Sequence, residues 1–220
     1  MKKNNPTNRG FTLIEIIVSL AVFIVVAVIA VGAFLKILDA NKQSQSLETA
    51  MTNANFAIDS MVRDLRVGED YYCYNSASGN YPPSSGPVKS TCPNSPFISA
   101  PGGAVYPTIA FYSSQSPSGW TCATPPIHAY RYNPSTKVIE KAEQSLSACQ
   151  GNDNDVGDSA SPFVPLTASN FDIQSFGISV DVTAQPKVFL YMQASAGSNA
   201  QNQTVFTLQT TASERIMNGQ

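Results

Sequence analysis

The sequence predicts an α+β protein in which one long N-terminal helix is followed by antiparallel strands. Three observations point there. An almost uninterrupted apolar run covers Ile16 to Leu35, with Ser19 its one clearly polar residue. A helical beat continues beyond it, with Leu47, Met51, Ala54, Ile58, Met61 and Leu65 spaced by alternating steps of four and three. From Val105 onward, β-branched and aromatic segments follow one another with no crossover helices between them, so neighbouring strands are expected to be antiparallel.

The chain opens on a basic leader, Met1 to Gly10, which carries Lys2, Lys3 and Arg9 and no acid. The apolar run starts at Phe11, and Lys36 is the first charge after Glu15. A helix from Phe11 to Leu38 rises to roughly 40 Å, enough to cross a hydrocarbon core of about 30 Å. A secretory signal has a shorter core and a small-x-small cleavage site, and Asp39-Ala40-Asn41-Lys42 is no such site. Positive charge ahead of the span keeps the N-terminus cytoplasmic and sends the rest of the chain across. Glu15 stands out. A charged side chain in a span costs roughly 2.5–3.5 kcal/mol on insertion scales, so it marks a function unless it is a chance feature of a plain signal anchor.

The second half of the helix is polar with one apolar face, and Gly68 is a reasonable stop. Residues 11–38 read as the membrane-spanning part and 39–67 as its amphipathic continuation, with Asp39 to Ser46 weakly apolar enough to bend or fray. The beat suits packing on the chain's own sheet, although a coiled coil would use it too. Residues 68–220 read as a β-rich exported head.

Gly68 to Gly103 reads as loop, including Tyr71-Tyr72-Cys73-Tyr74 and the Asn, Ser, Gly and Pro clusters that follow. Strands are expected at Val105–Tyr112, Ile127–Tyr132, Lys137–Lys141, Phe171–Val182, Val188–Met192 and Thr204–Thr211. Asn133-Pro134-Ser135-Thr136 makes a good hairpin turn between the second and third. The helix is expected to lie on one face of a single sheet.

The string Gly10-Phe11-Thr12-Leu13-Ile14-Glu15 resembles the processing site of type IV prepilins and type II secretion pseudopilins. That resemblance implies a pilin-like fold and cleavage by a membrane-embedded prepilin peptidase between Gly10 and Phe11. It implies N-methylation of Phe11 and pairing of Glu15 with the Phe11 amine of a neighbouring subunit. A buried carboxylate and a buried amine neutralise each other, whereas either alone is left uncompensated. The implied partners are the peptidase, other pilin or pseudopilin subunits, and an inner-membrane assembly platform with its ATPase. The chain itself has no P-loop. Ile58-Asp59-Ser60-Met61-Val62-Arg63-Asp64-Leu65-Arg66 also resembles the helix end of J-type minor pseudopilins and W-type minor pilins, through a hydrophobic-x-x-Asp-hydrophobic-Arg pattern.

Composition agrees with export. Charged residues make up 13 % of the 220, and the net charge is −2. Loss of the leader's cations makes the remainder more acidic, which argues against nucleic-acid binding. Cys73, Cys92, Cys122 and Cys149 all follow the span, and none forms a CxxC pair. Disulfides fit a translocated domain. Three connectivities exist; Cys73–Cys92 with Cys122–Cys149 closes the shortest loops, and a four-cysteine zinc site fits the wide spacing poorly.

Other candidate sites are sparse. Asp153, Asp155 and Asp158 with Gly157 form a short acidic loop that either holds calcium or is an exposed turn; it lacks EF-hand spacing. No other cofactor is indicated. His128 is the only histidine, next in sequence to no cysteine or acid, and reads as structural. Trp120 and Tyr71, Tyr72 and Tyr74 serve either packing or a contact surface. No Gly-x-Ser-x-Gly or triad is visible. The leading expectation is a non-enzymatic pilus or pseudopilus subunit, of minor type. The rival is a membrane-anchored binding module or enzyme acting outside the cell, which would need a pocket or a metal in the head.

Overall fold

The computed structural model describes residues 10–75, 107–116, 118–119, 121–122, 125–145, 162–168, 172–181, 185–197 and 203–215. One helix, α1, runs over Leu13–Arg66. It continues as expected through residues 39–46, the stretch weakly apolar enough to bend or fray. The reason is local: no Gly or Pro lies between Gly32 and Gly68, so nothing there removes a backbone donor or loosens φ. Ser44 Oγ instead donates back to the Ala40 carbonyl at 3.0 Å.

Two compact units divide the chain, Met1–Gln45 and Ser46–Gln220. In the first, the apolar side chains from Phe11 to Leu38 are exposed all round the helix. This part of α1 is long and apolar enough to cross a membrane.

Among the described residues of the second unit, eight strands form two antiparallel sheets, where one was expected. The first joins β1 (Gly68–Asn75), β2 (Pro107–Ser113), β3 (Ile127–Asn133), β4 (Val138–Glu143) and the short β5 (Val164–Pro165) in that order. The second joins β6 (Asp172–Asp181), β7 (Lys187–Ala196) and β8 (Thr204–Ser213). With one long helix on antiparallel sheets, the layout is α+β and pilin-like.

The β1 strand corrects the reading of residues 71–74 as loop. Tyrosine favours pleated, half-buried surfaces, and this segment finds a partner in β2, with Tyr72 opposite Ala110 and Cys73 opposite Ile109. Its register slips between Glu69 and Tyr72, where Asp70 takes a positive φ of 51°. Tyr71 is buried, and its hydroxyl donates to the Leu65 carbonyl at 2.6 Å and the Gly68 carbonyl at 2.9 Å, so this tyrosine closes the end of α1. The Arg215 amide adds a bond to the Arg66 carbonyl at 2.9 Å. Gly68 ends the helix for a packing reason. A Cβ there would overlap the ring of buried Phe111, coming within 3.0 Å of Cε2 and closer to Cδ2.

The β3–β4 hairpin matches expectation. Asn133 Oδ1 accepts from the Ser135 amide at 3.0 Å and the Thr136 amide at 3.4 Å, and Lys137 closes the turn with φ of 55°.

Met61 and Leu65 of α1 pack with Ile109, Phe111, Tyr130 and Ile139 of the first sheet and Phe176, Leu190 and Met192 of the second in one core. The buried helical face is shifted from the expected one. Ala50 and Ala57 are buried, whereas Met51 is 37 % exposed. Small side chains let α1 approach the sheets closely along this line.

Among the described residues no cysteine is free, and Cys73 and Cys122 are disulfide-bonded. Cys92, Cys149, Trp120, the leader before Gly10 and the acidic loop with Asp153, Asp155 and Asp158 lie outside the described residues.

Candidate functional site

The first site is the entry to α1. Gly10 and Phe11 precede the helix, and both are exposed. The Thr12 carbonyl accepts the amides of Glu15 at 3.1 Å and Ile16 at 3.3 Å, so the helix is already wound when the chain reaches Glu15. Glu15 is the acid of the first turn. There the unpaired amides of the helix N-terminus favour negative charge. Thr12 and Glu15 also have the Thr-x-x-Glu spacing of a capping box, a second local reason for helix to start here. Ser19 Oγ donates to the Glu15 carbonyl at 2.7 Å, which hides the one other polar side chain of the turn that follows.

The arrangement has two chemical consequences. Gly10-Phe11 is an exposed, non-helical peptide bond with no side chain on its first residue, the geometry a protease needs to bind backbone. Cleavage there would create an amine two residues ahead of the helix and one turn from Glu15.

The second site is a polar cluster between the end of α1 and the first sheet. Its hub is Asp64, the acid of the hydrophobic-x-x-Asp-hydrophobic-Arg pattern. Asp64 Oδ2 accepts from Tyr130 Oη at 2.6 Å and from Lys141 Nζ at 2.7 Å, and His128 Nδ1 lies 3.7 Å away. Lys141 also pairs with Glu143. Register brings these groups together. His128 on β3 sits opposite Glu143 on β4, Tyr130 sits opposite Lys141, and all face the last turns of the helix. Sequence adjacency therefore misled: His128 has acids near it in space.

Electrostatics follow from that geometry. Burial pushes the Asp64 carboxyl up, but the hydrogen bonds from Lys141 and Tyr130 and the Lys141 charge favour its anion, and the net is well below the usual carboxylate range. Burial disfavours the Lys141 ammonium, but Asp64 and Glu143 outweigh it and raise the group above its ordinary value. Burial holds the Tyr130 phenol far up, and the Asp64 charge adds to it, so it stays protonated and donates to Asp64. The cluster ties helix to sheet, and no described residue beside it forms a nucleophile–base pair.

No curated protein and no solved structure matches the chain. The family model described as the prokaryotic N-terminal methylation motif matches residues 5–31, which include Gly10, Phe11 and Glu15. The motif and the apolar helix fit a membrane-anchored subunit that a peptidase processes and that assembles with other pilins, and the match supports the type IV pilin and pseudopilin family.

Proposed function

We propose that this protein is a structural subunit, without enzymatic activity, of a type IV pilus or a type II secretion pseudopilus. The observation that carries the reading is the junction at residues 10–15, where an exposed Gly10-Phe11 bond meets a membrane-length helix with Glu15 in its first turn. The chain inserts with its leader cytoplasmic and its head outside. Prepilin peptidase cuts after Gly10, and Phe11 is methylated. The helix then leaves the bilayer for a bundle of like helices, where Glu15 pairs with the Phe11 amine of another subunit. Assembly draws on a membrane platform and its ATPase.

Within that class the reading is a minor subunit. The large head of two sheets supports it, as does the resemblance of Ile58 to Arg66 to J-type and W-type minor subunits. The same reading takes Cys73–Cys92 and Cys122–Cys149 as the disulfides of the exported head. Mass spectrometry of protein from cells with an active prepilin peptidase tests the core claim. A mass corresponding to a chain that begins with methylated Phe11 is expected; an intact leader refutes it. Incorporation of Glu15→Ala into filaments as efficiently as wild type would refute the pairing role.

A further inference from the structure

The cluster around Asp64 contains a ring nitrogen that the tie between helix and sheet leaves unused. His128 Nδ1 is buried and has no hydrogen-bond partner. At 3.7 Å from Asp64 Oδ2 it is beyond hydrogen-bond reach. Two ligand atoms each about 2.1 Å from a tetrahedral zinc ion stand roughly 3.4 Å apart. The pair is thus too far apart to bond each other and near the separation at which two atoms share a metal. Glu143 supplies a third ligand, and one atom from each of Asp64, His128 and Glu143 lies within 4.8 Å of the other two.

Lys141 marks where a cation sits. Its ammonium touches both Asp64 and Glu143, between the two carboxylates of the set. Its side chain is 22 % exposed on a strand, so the flexible stem can swing towards solvent without moving backbone.

We propose that Asp64, His128 and Glu143 bind a transition-metal dication, zinc foremost, which displaces the Lys141 ammonium. The ligand chemistry selects the ion. An imidazole nitrogen with two carboxylates suits zinc, whereas calcium takes six to eight oxygens that these residues do not offer. Charge selects the exchange. Two carboxylates and a neutral imidazole balance a dication, while an ammonium held in the same place would repel it. Water completes the shell on the side of the exposed Glu143, whose side chain is 56 % exposed. Because the ligands come from α1, β3 and β4, the bound ion fastens the end of the helix to the sheet. Lys141 sets the affinity by competing for the position, and this inference does not depend on the assembly role of the chain.

Calorimetric titration of zinc into the detergent-solubilised full chain tests the site. One ion per chain is expected. Lys141→Ala should bind at least tenfold more tightly, and adding His128→Ala to it should remove that gain. Equal affinity with and without His128, as an acidic surface loop would give, overturns the proposal, as does failure of Lys141→Ala to tighten binding. Unaltered protein gives a check free of folding defects. Its melting temperature should rise with roughly 100 µM zinc and stay put with calcium, since an ion that binds only the folded state stabilises it. No rise with zinc, or an equal rise with calcium, overturns the assignment.

Discussion

Tyr130 Oη donates a 2.6 Å hydrogen bond to Asp64 Oδ2, joining a central strand of the first sheet to the last turns of the long helix. The two residues are 66 positions apart in sequence. Removal of the donor leaves Asp64 with Lys141, so Tyr130→Phe should cost only about 1–2 kcal/mol. Asp64→Ala is different. It removes the acceptor of both Tyr130 and Lys141 at once, so it should cost more than Tyr130→Phe, about 2–3 kcal/mol, with Lys141 keeping Glu143 as a partner. Denaturant unfolding of both variants should rank them in that order.

Stability should depend on pH through the same carboxylate. The folded-state pKa of Asp64 is depressed below its ordinary 3.8, so its contribution is present above that value and is lost as pH falls through the folded one. Lys141 is raised above its ordinary 10.5, so its contribution persists up to that value and fades at higher pH. Melting temperatures measured between pH 2 and pH 6 should fall towards the acid end, and Asp64→Asn should flatten that slope.

Glu214 works in the opposite sense. Burial raises its pKa, and the charges of Glu69 and Asp70 add to the rise. A raised carboxylate favours folding below its unfolded value and loses that benefit as pH climbs through the folded one. Glu214→Gln should therefore leave stability at pH 7 unchanged or higher, read from the same melting curves, in contrast to the loss expected of Asp64→Asn.

Much of this architecture is legible in the sequence for physical reasons. The N-terminal half of α1 is a uniform apolar run, and the junction residues form a contiguous string, so neither needs knowledge of distant contacts. The Asn133–Thr136 turn is equally local. What the sequence hides is long-range. Residues 71–74 look like loop because their strand partner lies some 35 positions on in β2, beyond a Pro- and Ser-rich stretch. Two sheets look like one because strand order says nothing about where pairing stops. His128 looks isolated because Asp64 reaches it from another element and Glu143 through hairpin register. The Asp of the helix-end pattern was the available signal: a charge on a helix about to pack on a sheet calls for a partner.

Gly68 offers a sharper test of the helix-to-strand junction. Its φ is not in the left-handed region, so conformational freedom does not explain it. The ring of Phe111, which is 1 % exposed and stacks on Tyr130 at 6.3 Å between centroids, occupies the space where a Cβ would go. Gly68→Ala should destabilise the head by about 1–3 kcal/mol, the usual cost of overpacking a filled core. Adding Phe111→Leu to Gly68→Ala should recover part of that loss in denaturant unfolding, because the smaller side chain vacates the contested volume.

The helical face makes the final comparison. Met51 and Met61 share the same apolar beat in sequence, yet Met61 is fully buried while Met51 is 37 % exposed. The buried line runs instead through Ala50, Ala54, Ala57, Ile58, Met61 and Leu65. Met61→Ala should cost roughly 2–5 kcal/mol, since it opens a cavity where α1 meets both sheets. Met51→Ala should stay within about 0.5 kcal/mol of wild type, because alanine is a better helix former and little packing is lost. Equal losses in parallel unfolding titrations would mean that the helix is rotated about its axis, with Met51 turned into the core. That rotation would also carry Asp64 away from Tyr130, so the Met51 and Tyr130 variants check the same placement from two sides.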